Sequence, residues 1–394
     1  MDISIKLQQL MDQAVADCEV AGVNLLIEKD GTELYYGQAG KADIEADRPI
    51  SRDTIFRLYS QTKPVTAAAA MILMERGIID LCQPVSDFIP EYGKIKVVRG
   101  SEVVDCEIPL RIHNLLNMTS GLVYPDDNTS AGLFAGEVMA EGERRLGTDR
   151  EMTTMEMAKR LASCPLAFVP GESWRYGTSA DLLGAVVEAA SGKRFGEFLQ
   201  KEIFEPLGMD DTAFWVPEEK HDRLAAVYET VTQPDGSRHL VRYTKNHLAV
   251  PNNMQKSPSI EMGGAGLSST LDDYMRFARM LLAGGEDRGV RILKPRTVQF
   301  MTKGRLLDCQ QQAFEKWMGL EGYTYSNLMR ICENPDKSCV FAQKGEYGWD
   351  GWLGAYFANF PEEKITILMG TQKVDAGTFT LTRKLRNVIL GELA

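Results

Sequence analysis

The stretch Phe56-Arg57-Leu58-Tyr59-Ser60-Gln61-Thr62-Lys63-Pro64 decides how this chain is read. It stands at the head of an apolar run in which Ala67 to Ala70, Met71, Leu73 and Met74 lead to Gly77. A helix turns once every 3.6 residues, so Ser60 and Lys63, three apart, share a face. Pro64 is tolerated only in a first helical turn, where its missing N–H has no partner to lose. The pattern predicts a helix from Ser60 to Gly77 with a hydroxyl and an amine side by side at its start. There the amine can take the serine's proton, and unpaired first-turn N–H groups can stabilise developing negative charge.

Outward from that segment the chain reads as a globular enzyme. Its 394 residues suffice for a large core and about two domains. Hydrophobic residues at 44% and charged residues at 25% are ordinary for a soluble protein. A net charge of −11 with no Lys/Arg-rich block excludes a nucleic-acid partner. No apolar run is long enough for a membrane span. Met1 to Val20 is amphipathic rather than signal-like, with Ile3, Leu7, Leu10, Met11, Ala14 and Val15 on one helical face. Cys18, Cys82, Cys106, Cys164, Cys309, Cys332 and Cys339 are scattered and odd in number, which predicts reduced thiols and a cytoplasmic protein. Cys332 and Cys339 have no nearby His or second cysteine pair, so no metal is expected, and no motif calls for a cofactor.

The order of patterns suggests two parts. Val23 to Glu28 and Glu33 to Gln38 read as strands joined at the hairpin turn Lys29-Asp30-Gly31. Roughly residues 80 to 265 read as mostly helical, with helices at Ala180 to Ala190 and Phe195 to Phe204 and a loop at Pro125 to Thr129. A helix from Leu271 to about Leu282 carries Asp272 and Asp273 in its first turn. Trp317 to Leu328, Gly351 to Phe360 and Lys364 to Gly370 read as strands, and a helix from about Ala376 to Glu392 closes the chain. One sheet assembled from both ends is expected, giving an α/β part of residues 1–57 and 267–394. The mostly helical lobe is residues 58–266, with the active site at the junction. His113 reads as a packed histidine, and His221, His239 and His247 as solvated ones. No His and Asp stand in a triad order, so a Ser-His-Asp hydrolase is disfavoured. Gly263-Gly264-Ala265-Gly266 lacks the ending of a phosphate loop and reads as close backbone packing near the site floor.

These segments together resemble the class C β-lactamase-like serine hydrolases, which include class C β-lactamases, family VIII carboxylesterases, D-aminopeptidases and related penicillin-recognising enzymes. The Phe56–Lys63 segment looks like the family's nucleophile segment. Ile112 to Leu122 looks like its "LLTHTSGL" segment, with Asn117 where His is usual. Trp174-Arg175-Tyr176-Gly177-Thr178 falls at the Y-x-N motif. Ile203 to Met209 and Gly263 to Thr270 follow in family order, and Gly348-Trp349-Asp350-Gly351 stands at the third motif, where K-T-G, H-x-G or W-x-G is found. The resemblance spans nearly the whole chain. It implies the β-lactamase/transpeptidase-like fold, an antiparallel sheet flanked by helices plus a mostly helical lobe.

It also implies roles. Ser60 would attack an ester or amide carbonyl and become acylated. Lys63 or Tyr176 would accept its proton; a lysine acting near neutrality needs its pKa lowered by about three units, and a phenol beside Lys63 offers the other route. The backbone N–H groups of Ser60 and Trp352 would hold the oxyanion. Thr178, Trp349, Asp350 and Gly351 would bind substrate. Trp349 replaces the lysine that helps clamp a carboxylate, a charge-assisted contact worth about 1.5–3 kcal/mol, and Thr178 replaces the amide-holding Asn. Both departures favour a carboxylesterase for small acyl esters. Asp350 adds negative charge at the site edge, which would suit an amine-bearing substrate and keeps a D-amino-acid peptidase or amidase, or a weak β-lactamase, in view. An acyltransferase using the same acyl-enzyme is open too, as is a non-catalytic binder or sensor on this fold.

Overall fold

The structure, a computed structural model, describes residues 2–126, 128–304, 306–317 and 320–393. Its centre is an eight-stranded antiparallel sheet. In chain order the strands are β1 (Gly22–Lys29), β2 (Thr32–Asp43), β3 (Arg48–Pro49), β4 (Tyr323–Ser326), β5 (Met329–Cys332), β6 (Tyr347–Asp350), β7 (Tyr356–Phe360) and β8 (Ile365–Gly370). Their spatial order is β4-β5-β6-β7-β8-β1-β2-β3, so the amino-terminal strands join the carboxy-terminal ones where Leu26 pairs with Leu368. The β1–β2 hairpin turns at Asp30 and Gly31, both in the left-handed region at φ 52° and 73°, which an Asp-Gly pair tolerates.

Side chains alternate across a strand, and the burial follows. Leu25 and Ile27 of β1 pack with Ile367 and Met369 against Leu7 and Met11 of the Ile3–Ala16 helix and Leu385 and Ile389 of the Thr380–Leu393 helix. Leu26, Phe357 and Leu368 face the other way, into the main core with the Lys63–Glu75, Ser179–Ser191 and Leu271–Leu282 helices. Each fully buried Leu or Ile contributes about 1.5–3 kcal/mol. No helix among the described residues is long and apolar enough to cross a membrane.

Several elements differ from the sequence reading. The α-helix begins at Lys63, and Ser60 sits in a preceding 3₁₀ turn, Tyr59–Thr62. Tyr59 opens that turn in the left-handed region at φ 46°, outside any α-helix. The expected strands at Trp317 to Leu328 and Gly351 to Phe360 shorten to β4 and β7, with β5 and β6 unforeseen; Met318 and Gly319 in the first of these, and Met1 in the amino-terminal stretch, lie outside the described residues. The helix expected over Phe195 to Phe204 stops at Leu199 and goes on as a π turn, Gln200–Phe204. The middle region also contains two hairpins, Lys96–Arg99 with Glu102–Asp105 and Tyr228–Thr232 with Arg238–Arg242. These are short and mostly exposed, the first with paired rather than alternating valines, so they carry little hydrophobic alternation to read.

Candidate active site

Ser60 is presented by a turn tied down on every side. The short strand Phe56–Arg57 pairs with Ser268–Ser269, Leu58 N–H donates to the Leu267 carbonyl at 2.8 Å, and Leu267 N–H donates to Thr62 Oγ1 at 3.1 Å. The Tyr274 hydroxyl donates to the Gln61 carbonyl at 2.9 Å. A 3₁₀ turn has three residues per turn, so positions i and i+3 eclipse. The turn therefore aligns Ser60 with Lys63 more closely than an α-helix would, and Lys63 Nζ lies 3.1 Å from Ser60 Oγ.

Lys63 is fully buried. Its ammonium also donates to Tyr124 OH at 3.1 Å and to the Gly264 carbonyl at 2.8 Å, and it sits 4.5 Å from the centre of the Tyr176 ring. Burial pushes its pKa well below the ordinary lysine value, and the charge of Asp181 opposes that fall. Asp181, buried in the first turn of the Ser179–Ser191 helix, accepts Gly264 N–H at 2.7 Å and faces Tyr124 OH at 3.5 Å. Burial raises its carboxyl, against the pull of Lys63 and of these donors. Gly264 thus bridges the two charges through its own main chain. A Cβ there would stand 2.8 Å from both the Asp181 carboxylate and the Tyr124 hydroxyl, so glycine is required. Thr66 Oγ1 donates to the Gly263 carbonyl at 2.6 Å, which seats the glycine segment on the Lys63–Glu75 helix.

Tyr176 closes the other side. Its hydroxyl accepts Trp349 Nε1–H at 2.9 Å. Burial raises the phenol, while hydrogen bonds with Ser60 and Trp349 draw it back. The third motif ends β6 and runs directly against the turn that carries Ser60: a Cβ on Gly351 would collide with the Leu58 carbonyl. Trp352 then packs edge-on to Tyr59 at 4.9 Å between ring centres, and its indole N–H donates to Asp375 at 2.5 Å. Beyond Tyr176 lies a cavity of about 480 Å³ whose walls include Tyr124, Trp174, Tyr176 and Trp317, with Arg175 and Lys316 among its polar residues. Arg175 pairs with Asp126 at 2.7 Å.

The structure brings Ser60, Lys63 and Tyr176 together and corrects other expectations. Asp350 is not a free charge at the site edge. It is partly buried and ion-paired with Arg330 of β5 at 2.8 Å, because β5 and β6 are neighbours in the sheet. The amine-bearing substrate it suggested loses its support. Thr178 is fully buried at the head of its helix, so it presents no surface to a substrate. Gly351 is buried too and acts by letting backbones approach. His247 is half-buried rather than freely solvated, its ring stacked on Trp352 at 4.0 Å. His221 ring nitrogen Nε2 lies 2.8 Å from the Val216 carbonyl. Sequence reasoning missed Tyr124 and Asp181. The one signal for Asp181 was an acid inside the apolar run Ala180 to Val187, which an ordinary helix dipole also explains. Among the described residues no group of His, Cys, Asp and Glu could hold a metal ion.

Residues 7–389 match the protein family described as Beta-lactamase. The chain is 32% identical over 287 residues to Esterase EstB of Burkholderia gladioli, covering 70% of this chain and 69% of that protein. It is 25% identical over 374 residues to Acyltransferase calJ of Penicillium decumbens, covering 90% and 84%. The solved structure of EstCE1, a hydrolase with promiscuous acyltransferase activity, superposes with a TM-score of 0.83 at 22% identity, covering 98% of each chain; that likeness shows the fold. The chain belongs to the Beta-lactamase family, serine hydrolases built on the β-lactamase fold.

Proposed function

We propose, from that membership and the site chemistry, that the chain is a carboxylesterase for small acyl esters working through an acyl-enzyme on Ser60. The observation that carries this reading is the 3.1 Å contact between Lys63 Nζ and Ser60 Oγ. Lys63, kept partly neutral by burial, takes the Ser60 proton as Oγ attacks the carbonyl carbon. The backbone N–H groups of Ser60 and Trp352 receive the oxyanion. Collapse expels the alkoxide, which leaves as the alcohol with a proton passed through Tyr176. Water then attacks the acyl-enzyme and releases the acid. The raised Tyr176 phenol supports a proton donor and relay rather than a resting phenolate base.

Trp349 supports esters over β-lactams. Its indole is committed to Tyr176, and it supplies no cation where a carboxylate-clamping lysine would act. The EstB relative, called an esterase, points the same way. Within the family this reading takes the class C-like grouping, supported by the tyrosine of the second motif. It also takes an α/β part of residues 1–57 and 267–394 with a lobe of 58–266, supported by a sheet drawn from both ends of the chain. Seven free cysteines, three of them exposed, support a reducing, cytoplasmic setting.

Treatment with a fluorophosphonate followed by peptide mass spectrometry tests the nucleophile, and the adduct belongs on the Ser60 peptide. A label on any other serine overturns the reading. Nitrophenyl esters, nitrocefin and D-amino-acid anilides run side by side test the substrate. Nitrocefin turned over as fast as the esters sinks the esterase assignment. The broad aromatic mouth beside Tyr176 favours a second outcome, transfer of the acyl group to an alcohol, in keeping with the acyltransferase relative. Alcohol added to the ester assay would then yield new ester at the expense of acid.

A further inference from the structure

Away from the mouth, and sharing no lining residue with it, lies a cavity of about 260 Å³. Its lining includes three arginines, Arg48, Arg57 and Arg242, and one acidic residue, Asp43. The pairing among them is uneven. Arg242 grips Asp43 at 2.6 Å and reaches Glu45 at 3.2 Å. Arg48 meets Asp43 only at 3.9 Å, and otherwise donates to the Leu224 carbonyl at 2.7 Å. Asp43 is thus shared between two arginines, and Glu45, half-exposed, is screened by solvent.

Arg57 has no carboxylate at all among the described residues. It is 5% exposed, and its donors reach only neutral oxygens: the Ala225 carbonyl at 2.8 Å, Gln372 Oε1 at 3.4 Å and the Asn252 carbonyl. Its Nε–H has no partner. Burial pulls its pKa down to about 10, with Tyr59 opposing and the nearby Arg242 charge adding to the fall. A buried guanidinium without an anion is costly, and its planar fork matches an oxyanion bidentately. The other lining groups are compatible: His221 is engaged by the Val216 carbonyl, and Thr244, Asn252 and Asn253 are neutral.

We propose that this cavity is a binding site for a compact oxyanion of the phosphate or carboxylate class, with Arg57 at its floor and Arg48 and Arg242 completing its cationic wall. The site is separate from the acylation chemistry, but its floor residue lies three positions before Ser60, on the strand that leads into the nucleophile turn.

The test is titration of the intact protein with inorganic phosphate, with sulfate and with succinate, each followed by calorimetry and thermal shift against sodium chloride of equal ionic strength. The expected result is saturable binding and a rise in Tm for at least one of the three, beyond the chloride control that screens diffuse surface charge. Which of them saturates tells a phosphate-type site from a dicarboxylate one. Arg48→Gln and Arg242→Gln, both on partly exposed side chains, should each raise the Kd at least tenfold. Both should keep nitrophenyl ester hydrolysis within about twofold of the parent. Arg57→Gln should abolish binding; should it fail to fold, the other two variants still decide. No saturable binding of any of the three anions, or binding that both variants leave unchanged, overturns the proposal.

Discussion

Asp181, buried, and Asp350, partly buried, are both carboxylates at the motif segments, and the structure handles them differently. Asp350 meets a guanidinium directly, Arg330 at 2.8 Å, in a pair that locks β5 to β6. Asp181 meets its cation only through intermediaries, the Gly264 main chain and the Tyr124 hydroxyl. In the direct pair, burial raises the Asp350 carboxyl while Arg330 opposes that rise, and Arg330, against its own burial, is raised by Asp350 in turn; such a pair serves architecture. An indirect one leaves Lys63 dominated by burial, hence below its ordinary pKa, which suits the proton transfer from Ser60 proposed above. The lesson is that spacing from a motif does not tell a working charge from a structural one; the contact does.

The largest effects should fall on the working side. Lys63→Ala and Tyr176→Phe should each lower kcat/KM for a nitrophenyl ester by about 10²–10⁴-fold, and the double variant should be little worse than either, because groups acting as one unit are not additive. Fully additive losses would mean that the two serve separate steps, and the shared proton path would fall. On the structural side, Arg330→Met strands the Asp350 charge and should cost about 3–5 kcal/mol in urea unfolding. Asp350→Asn, which keeps a hydrogen-bond acceptor for Arg330, should cost less. A loss under about 1 kcal/mol for Arg330→Met would show that the pair holds nothing in place.

Asp181→Asn sharpens the contrast through pH. With Lys63 as the proposed base, it must be neutral to accept the proton, so activity should rise with pH through the Lys63 titration. Asp181 favours protonated Lys63, so its removal lowers that pKa further and shifts the acid limb of the kcat/KM profile to lower pH. An acid limb moving upward, or standing still, would show that Asp181 does not act on Lys63.

How much of this could be read beforehand follows the same division. That Ser60 and Lys63 meet was legible because a hydroxyl, an amine and a proline at fixed spacing leave few arrangements, and that Tyr176 and Trp349 lie beside them because their segments stand in the order of the resembled family. The β1–β2 turn was legible from Asp30-Gly31, and the Leu271–Leu282 helix from its apolar period and its acidic first turn. Asp350 was misread because its partner lies twenty residues earlier on a strand, β5, whose four buried residues include the polar Arg330 and so break the apolar pattern. The 3₁₀ turn was hidden because nothing in a tyrosine announces φ 46°. Tyr124 stayed out of sight in a segment read only for its loop.

The smallest expected effect concerns the indole that stands in the third motif. Trp349 donates to the Tyr176 hydroxyl at 2.9 Å, and its rings pack with Tyr176 and, nearly parallel, with Trp317. Trp349→Phe keeps an aromatic face in that packing and removes only the donor. A net hydrogen bond is worth about 0.5–1.5 kcal/mol, so kcat on a short nitrophenyl ester should fall about two- to tenfold, with KM nearly unchanged. The bond also helps hold the phenol pKa down, so its loss raises Tyr176 further and should move any alkaline limb that reports it to higher pH. A hundredfold loss in kcat would promote Trp349 from an orienting neighbour to a group that contacts the reacting ester. A change confined to KM would assign it to substrate binding alone.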